Sequence, residues 1–548
     1  MPGPGGAVLQ APVRARKHCL YALICLLWML PGLLGRAPWH PDELFLTTIA
    51  AQMARDGLRF VPHLLGEPFL DYPPLYLWLA ALSAKVFSFL PPHEGARLAN
   101  IPLLTAGFGF LYLAGARRYG AATGWIAVLF ALGTAGFMIR AHLLTPGVAA
   151  FAASAALLWG AMLVKKRALF GGAVCGGALG FVFWSAGVAP ACAAFLFLAL
   201  LFFHRQWRHS AAGLLAAVAV ALPLLLLWPA VLAQRHLPLF GQALSSALPP
   251  FAPDALITFP ALFGWALFPA LPITLAGLIW FWRRAEVWHA DGAADDKAAA
   301  TSVVSRLLSG GDGALFAAGL LFVAASLSLL WGDGGTSEED LFFALPPLSF
   351  IAARFMRKLP DDAALVLDWF ALLVAGVFCT GAAWVLWLSL LADAPAFAVG
   401  YLAQVFPGYV LPSPSPFAVF AAFVVSALWC ALIANFGRSN ERAVVNWSCG
   451  VTVVWFVFNA LWLGYVDSAK SYRTPAQQIA AQMDGGCIIK SQSDAPMPML
   501  AQLSYWGAAV GGGECAFVLR RGENGGGGAQ KWQGGRPGKT KYRLYQVK

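Results

Sequence analysis

Residues 147–203 read GVAAFAASAALLWGAMLVKKRALFGGAVCGGALGFVFWSAGVAPACAAFLFLALLFF, three apolar runs separated by one basic cluster and one glycine-containing break. Each run is close to the roughly 20 residues that a helix needs to cross a hydrocarbon core about 30 Å thick. The only charged residues in the stretch are Lys165, Lys166 and Arg167. The pattern predicts consecutive membrane-spanning helices. The spacing Gly172, Gly176, Gly180 predicts close approach of a neighbouring helix.

The composition extends this interpretation to most of the chain. Of the 548 residues, 59% are apolar and 11% are charged, whereas soluble domains are about 45–50% apolar and about 25% charged. This excludes a soluble protein. The net charge of +11 does not indicate a nucleic-acid partner, because the basic residues separate the apolar runs instead of forming one basic surface.

The basic clusters predict the orientation of the spans, since short loops rich in Lys and Arg stay in the cytoplasm. The first apolar run follows Arg14, Arg16 and Lys17 and lacks a convincing cleavage site, which favours an uncleaved first helix with a cytoplasmic N-terminus. The later clusters then require thirteen spans and place the segment from Val466 outside. The spans are expected near 19–35, 97–116, 121–139, 147–164, 168–185, 187–203, 211–232, 260–282, 313–331, 341–355, 363–391, 415–436 and 443–465.

The predicted fold is an all-α polytopic membrane protein with a small C-terminal α/β domain. The division is 1–465 for the membrane part and 466–548 for the soluble part. Three outer segments are longer than connections require: 36–96, 233–259 and 392–414. The pattern of 42–56 predicts a helix on the membrane surface. In the tail, runs at 487–489, 516–519 and 542–547 favour strands, and Cys487 and Cys515 could form a disulfide.

Two segments of the first outer loop carry groups suited to chemistry. The sequence WHPDE at 39–43 places the carboxylates Asp42 and Glu43 just beyond the first span, and PFLDYPPLYLWL follows at 68–79. Charge at a membrane edge is costly and needs a reason. A structural alternative is that Asp42 caps the surface helix while Glu43 favours its positive end.

These segments resemble the first outer loop of the polyprenyl-phosphate-sugar-dependent glycosyltransferases of family 39. That group includes the protein O-mannosyltransferases and the bacterial aminoarabinose transferases of lipid A. The resemblance rests on the D-E pair, IAAQMARDG at 49–57, VPHLLGEPFLDYPPLYLWL at 61–79 and KSYRTPAQQIA at 470–480. It implies a GT-C fold with the outer loop and tail on the periplasmic side of a bacterial inner membrane.

The resemblance also implies roles. An acidic residue at the position of Asp42, beside Glu43, serves as general base for an acceptor hydroxyl, while a polyprenyl phosphate leaves the sugar. The implied partners are a polyprenyl-phosphate-linked sugar and an envelope acceptor, which could be lipid A, a glycan, a lipid or a protein. Tyr72 stands where many relatives have Lys, and no carboxylate occurs near Arg140 in the sequence, where relatives often have one.

Arg140 and His142 are the cationic candidates near the outer end of the third span. A guanidinium suits a phosphate, and a His could assist or bind a divalent metal; the alternatives are interfacial anchoring of Arg140 and a satisfied helix-end His142. Arg235, next to His236, is a further candidate for substrate binding. No nucleotide is needed; a divalent metal held by Asp42, His142 and a water stays open, with no ligand spacing that supports it strongly.

Two other functions stay open at this point. A carrier or flippase for a lipid-linked substrate would also be polytopic, although carriers usually show related halves and polar residues near the bilayer midplane. A degenerate relative could bind the sugar lipid without transferring the sugar. This third possibility is motivated by positions where the chain departs from the family pattern: Leu44-Phe45-Leu46, Tyr72 and Glu338-Glu339-Asp340.

Overall fold

A computed structural model of the chain describes residues 5–39, 41–204, 206–235, 237–247, 253, 255–290, 312–330, 339–393, 395–405, 415–437, 439–511, 515–522, 528–535 and 541–547. Within these residues the molecule consists of a helical bundle, a loop region at one of its ends and a small mixed-sheet tail. His236, Glu338 and the basic residues Arg205, Lys297, Arg306 and Arg438 lie outside the described residues.

The helices of the chain are, in order, α1 (Gly5–Met29), α2 (Pro41–Asp56), α3 (Leu75–Val86), α4 (Pro92–Arg97), α5 (Asn100–Tyr119), α6 (Ala121–Leu132), α7 (Ala135–Arg140), α8 (Gly147–Val164), α9 (Ala168–Ala186), α10 (Val188–Phe203), α11 (Ala211–Arg235), α12 (Leu237–Ala247), α13 (Ala255–Ala266), α14 (Ala270–Ala290), α15 (Gly313–Ser328), α16 (Leu345–Met356), α17 (Asp361–Phe370), α18 (Ala382–Ala392), α19 (Ala396–Val405), α20 (Pro416–Asn435), α21 (Asn440–Val457), α22 (Leu463–Lys470), α23 (Arg473–Ala481) and α24 (Met497–Tyr505). Single 3₁₀ turns lie at Asp340–Phe343 and Lys490–Gln492, and π-helical stretches join α17 to α18 (Ala371–Gly381) and α21 to α22 (Phe458–Trp462).

Every one of the thirteen expected spans falls on a helix, which confirms the polytopic all-α prediction. Seven helical segments of the described chain are long and apolar enough to cross a membrane, and a bent pair makes an eighth. The other five expected spans coincide with shorter apolar helices of 10–17 residues. One further short apolar helix, α3, was not predicted, because the proline-rich segment around it indicated only short pieces.

The span expected at 260–282 falls on two helices and not on one. The chain instead forms α13 and α14, which meet at an angle of 97° across a short break. Pro269 sits in that break, where it has no N–H to donate and disfavours helical geometry at Phe268. A helix cannot run through the position without losing hydrogen bonds, so the segment turns.

The glycine spacing on α9 does allow a close helix pair. A Cβ on Gly172 or Gly176 would collide with the carbonyl oxygens of Gly213 and Ala217 on α11. Only glycine lets the two backbones approach this far, because any side chain would push the helices apart. The sequence prediction for this pair is confirmed.

The two ends of the bundle differ in character. At one end Asn100, the first residue of α5, donates to the carbonyls of Ala141 and Leu143 at 3.2 and 2.7 Å. At the other end Arg118 pairs with Asp312 at 3.3 Å, about 27 Å away along the helix axis. We call the first end, which carries residues 36–99 and the tail (471–547), the loop face. The second is the basic face, where Lys17 also pairs with Glu441 at 2.9 Å.

The tail packs on the loop face and contains a five-stranded sheet. Its strands, numbered after the hairpin β1 (His63–Leu64) and β2 (Glu67–Pro68), are β3 (Ile488–Ile489), β4 (Val510–Gly511), β5 (Phe517–Arg521), β6 (Ala529–Gly534) and β7 (Tyr542–Gln546). Their order is β4-β3-β5-β7-β6. Strand β3 is parallel to β4 and β5, whereas β7 is antiparallel to β5 and β6. Together with α23 and α24, the sheet confirms the α/β prediction.

Cys487 and Cys515 form a disulfide with their Cα atoms 4.7 Å apart, as their position in the tail suggested. The disulfide links the residue that precedes β3 to the short segment that precedes β5. A separate apolar core of the tail includes Ile479, Leu500 and Leu544. The small domain therefore has its own buried centre and a covalent staple.

The basic face predicts a cytoplasmic location and the loop face a periplasmic one. Reporter fusions after Lys358, on the basic face, and after Ser471, where α22 has ended, should therefore report opposite sides of the membrane. Activity of a periplasmic reporter only at Ser471 is the expected result. The same side for both fusions would contradict the orientation.

Candidate active site

A buried carboxylate on α2 organises the loop face. The Oε1 atom of Glu43 accepts hydrogen bonds from Arg97 Nε at 2.7 Å, Arg36 Nη2 at 3.1 Å and the amide of Leu144 at 3.2 Å. Its Oε2 atom accepts from Arg36 Nη1 at 3.0 Å and from the amide of Trp39 at 2.9 Å. We call Glu43, Arg36 and Arg97 the carboxylate clamp. All three side chains are buried.

The clamp holds a fully ionised Glu43. Burial alone raises the pKa of a carboxyl, but the charges of Arg36 and Arg97 outweigh burial, so the pKa of Glu43 lies well below its usual range. With five donors on two oxygens and no exposed surface, Glu43 cannot meet a substrate. The expectation that Glu43 shares the catalytic role is therefore corrected: it is a positioning residue.

The arginines carry the clamp into the neighbouring chain segments. Arg36 donates from Nε to the Gly32 carbonyl and from Nη2 to the His142 carbonyl, both at 2.8 Å. Arg97 Nη1 donates to the Arg36 carbonyl at 2.8 Å. The end of the first span, the start of α2 and the loop after α7 are thus joined in one network.

Polar side chains from α3 and α5 fix the same loop. The Tyr76 hydroxyl donates to Asn100 Oδ1 and accepts from the amide of Thr145, each at 2.8 Å. Asn100 in turn holds the carbonyls of Ala141 and Leu143. The hydroxyl of Thr145 is thereby fixed and donates to Glu339.

His142 lies inside the bundle and not at the open site. Its ring is 4.7 Å from the rings of both Trp28 and Trp455. Nδ1 lies 2.6 Å from the Met138 carbonyl and Nε2 lies 2.8 Å from the Trp28 carbonyl. Neither nitrogen remains for a phosphate or a metal, so the substrate-binding expectation for His142 is corrected to a packing role.

Asp42 is next to Glu43 but sits in a different environment. The helix begins at Pro41, so Asp42 lies in the first turn and not before it, which removes the cap alternative; it is only partly buried. The pKa of Tyr72 is raised well above its usual range by burial and then by the charges of Asp42 and Asp340. Asp42, Tyr72 and Glu339 with Asp340 therefore form one group, which we call the acidic site.

Arg140, the last residue of α7, also lies at the acidic site. Its Nη1 lies 3.7 Å from Oε1 of Glu339, and its side chain keeps 21% of its surface exposed. Burial raises the pKa of Glu339 to about 8, with a further contribution from Asp42. Burial thus favours the protonated form of Glu339 near neutral pH. The sequence near Arg140 showed no acidic partner; the partner comes from the turn before α16.

Arg235 does not join the acidic site. It lines a separate groove with Arg59 and His63. No group of three or more His, Cys, Asp or Glu side chains in the described parts of the chain is placed to hold a metal ion. The residues that the structure brings together are Asp42, Tyr72 and Arg140, with Glu339 added.

Three residues of the network were missed. Arg36 and Arg97 are charged residues at span ends on the loop face, and Asn100 is a polar residue at the start of a span. Their position was a usable signal, because a charge or amide at a membrane edge is expensive without a partner. Their mutual contacts could not be deduced, since Arg36, Glu43, Arg97 and Asn100 come from four separate segments.

No protein-family model and no curated protein sequence matches the chain. Among solved structures, ArnT from Cupriavidus metallidurans bound to undecaprenyl phosphate is similar with a TM-score of 0.63 and 15% identity, over 96% of this chain and 98% of that one. ArnT from the same organism in the apo state gives a TM-score of 0.64 and 14% identity, over 98% and 99% of the two chains. The chain thus shares the fold of ArnT over nearly its whole length.

The carboxylate clamp predicts a large cost for removing one charge. Replacing Glu43 by Gln leaves two buried guanidinium groups without a counter-charge and should destabilise the protein by about 3–5 kcal/mol. Chemical unfolding in detergent micelles measures the difference. The matched control is Asp56→Asn, because Asp56 and its partner Arg59 are both about half exposed and such a pair should contribute at most about 1 kcal/mol. Equal effects of the two changes would contradict the structural role of Glu43.

Proposed function

We propose that the chain is a glycosyltransferase of the bacterial inner membrane. It moves a sugar from a polyprenyl phosphate to a hydroxyl of an envelope acceptor on the periplasmic face, where the loop face then lies. The observation that carries the proposal is the acidic site, in which the partly exposed carboxylate of Asp42 and the guanidinium of Arg140 lie beside Glu339, in a fold shared with ArnT.

The two charged groups match the two needs of the reaction. The acceptor oxygen forms a bond to the anomeric carbon while the bond from that carbon to the phosphate oxygen breaks. Asp42 takes the proton of the acceptor hydroxyl. The electron pair of the broken bond leaves with the lipid phosphate, and Arg140 stabilises the negative charge there.

The state of Glu339 determines what Arg140 can bind. Protonation of Glu339 removes one negative charge from beside Arg140 while Glu339 still accepts the Thr145 hydrogen bond, which strengthens the attraction of this site for an anion. An ionised Glu339 would neutralise Arg140 and repel a phosphate. Burial of Glu339 thus favours binding of an anionic lipid at neutral pH.

The comparison with ArnT supports the choice of donor, because that protein was crystallised with undecaprenyl phosphate. The polar side chains of the carboxylate clamp and the acidic site all lie on the loop face. This location supports an enzyme over a carrier, because carriers typically have polar residues near the bilayer midplane.

We expect Asp42→Asn to reduce sugar transfer by roughly 10²–10⁴, the usual contribution of a general base. The change removes the proton acceptor but keeps the size of the side chain. Loss of its favourable position in the first helical turn should cost at most about 1 kcal/mol of stability. Sugar transfer by the purified variant, with donor binding measured in parallel, tests the role.

A matched control is Asp56→Asn, which changes the same residue type at the far end of the same helix, about 21 Å along its axis. This variant should transfer sugar like the parent. Parental turnover by Asp42→Asn would remove Asp42 from the mechanism, and equal losses in both variants would indicate a general effect of charge on α2.

Binding of the donor should depend on Arg140 and, through Glu339, on pH. Arg140→Ala should weaken binding of undecaprenyl phosphate at pH 7 roughly tenfold, the value of one charge-assisted contact. As the pH rises past about 8, Glu339 loses its proton and binding to the parent should weaken as well. In Glu339→Gln the side chain stays neutral, so that pH dependence should disappear.

Fluorescence or calorimetric titration with undecaprenyl phosphate between pH 6 and pH 9.5 measures both effects. Arg55→Ala, an exposed arginine near the end of α2, is the control for loss of positive charge. Binding to Arg140→Ala as tight as to the parent would leave Arg140 as an interfacial anchor. A pH dependence that persists in Glu339→Gln would assign the titration to another group.

A further inference from the structure

A second cationic feature of the loop face is a groove between the first loop and α11. It has a volume of about 290 Å³ and is lined by Arg59 and His63 from the loop, Arg235 from the end of α11, and apolar side chains that include Phe60, Trp228 and Leu232. We call it the Arg59–Arg235 groove. Neither the sugar-transfer chemistry nor the carboxylate clamp uses these residues.

The walls of the groove are held by specific contacts. Trp228 Nε1 on α11 donates to the Phe60 carbonyl at 3.3 Å, and Trp78 Nε1 on α3 donates to the Arg59 carbonyl at 2.8 Å. The Phe60 and Trp78 rings meet edge to face at 5.2 Å. Loop and span are therefore fixed relative to each other, and the groove is a built feature of the fold.

The charge of the groove is positive. Arg235 is exposed and makes no hydrogen bond or ion pair with any residue that the structure describes. Arg59 has only a long contact, 3.9 Å, to Asp56, and both of those side chains are about half exposed. Both guanidinium groups line the groove, and Asp56 is the one carboxylate that pairs with either of them among the residues that the structure describes; guanidinium groups in such a setting suit a phosphate.

The apolar side of the groove belongs to a helix that is long and apolar enough to cross a membrane. Trp228, Val231 and Leu232 line the groove together with Arg235 on the same face of α11. An occupant with both an anionic group and a hydrocarbon chain would satisfy the two parts of this surface together. A water-soluble anion would leave the apolar wall uncovered.

The groove is too far from Asp42 to be the donor phosphate site of the proposed reaction. Arg59 contacts Asp56, the last residue of α2, whereas Asp42 lies in the first turn. Fourteen residues of α-helix separate the two carboxylates, which is about 21 Å. A phosphate between Arg59 and Arg235 therefore belongs to a different molecule from the one that reacts.

We propose that the Arg59–Arg235 groove binds an anionic glycerophospholipid from the bilayer leaflet at the loop face. The guanidinium groups bind its phosphate, and one acyl chain lies against Trp228, Val231 and Leu232. Such a lipid ties the first loop to α11 and stabilises the arrangement of the loop face. Lipid binding needs no sugar transfer, so the proposal stands apart from the proposed function.

The test is a titration of the purified full-length chain with phosphatidylglycerol, followed by native mass spectrometry and by the melting temperature. The parent should retain one tightly bound phosphatidylglycerol and melt at a higher temperature when it is present. The double variant Arg59→Gln/Arg235→Gln should weaken that binding at least tenfold, about 1.4 kcal/mol. Phosphatidylcholine should raise the melting temperature of neither protein.

Two further variants make the result specific. Arg55→Gln removes an exposed arginine close by but outside the groove and should bind phosphatidylglycerol like the parent. Arg59→Lys/Arg235→Lys keeps the charge and should retain most of the binding. Because all the exchanged side chains are exposed, their variants should fold, which the melting temperature without added lipid verifies.

Three outcomes would overturn the proposal. Phosphatidylglycerol binding in Arg59→Gln/Arg235→Gln equal to that of the parent would show that the groove holds no such lipid. An equal loss in Arg55→Gln would indicate general attraction by positive charge. Loss of undecaprenyl phosphate binding in the double variant, with phosphatidylglycerol binding intact, would assign the groove to the donor.

Discussion

The arrangement of the loop face depends on one buried charge, the carboxylate of Glu43. An ionised group inside a protein costs several kcal/mol unless opposite charges and hydrogen bonds compensate it. Here Arg36 and Arg97 supply the charge, and the amides of Trp39 and Leu144 complete the shell. Four chain segments must meet for that to happen, so this single requirement determines where α2 begins relative to the spans.

The same requirement separates the roles of two adjacent carboxylates. Successive residues on a helix point about 100° apart, so when Glu43 faces the interior, Asp42 faces another direction. Asp42 consequently enters the acidic site with Tyr72 and Glu339, where it remains partly exposed. Two adjacent carboxylates are thus divided between one residue that holds the structure and one that lies in the partly exposed acidic site.

The loop that bears Arg140 is determined by the same contacts. Arg36 and Asn100 bind its carbonyls, and Tyr76 binds the amide of Thr145. These bonds bring Arg140 and Thr145 to Glu339 and keep a protonated carboxyl beside a guanidinium. The acidic site lies near the first turn of α2, and the Arg59–Arg235 groove lies near its last turn. The length of this one helix therefore separates two surfaces of different chemistry.

The sequence by itself determined the class of fold: thirteen apolar runs on helices, a surface helix after the first span, an α/β tail and its disulfide. These features follow from local hydropathy, residue periodicity and the position of two cysteines, which do not require knowledge of distant contacts. The tertiary structure alone decided that Glu43 and His142 are buried, that Glu339 is the partner of Arg140, that Arg235 belongs to another groove, and that the chain bends at Pro269. Burial and ion pairing depend on segments far apart in the chain. Their free energies therefore cannot be assigned until those segments are placed together.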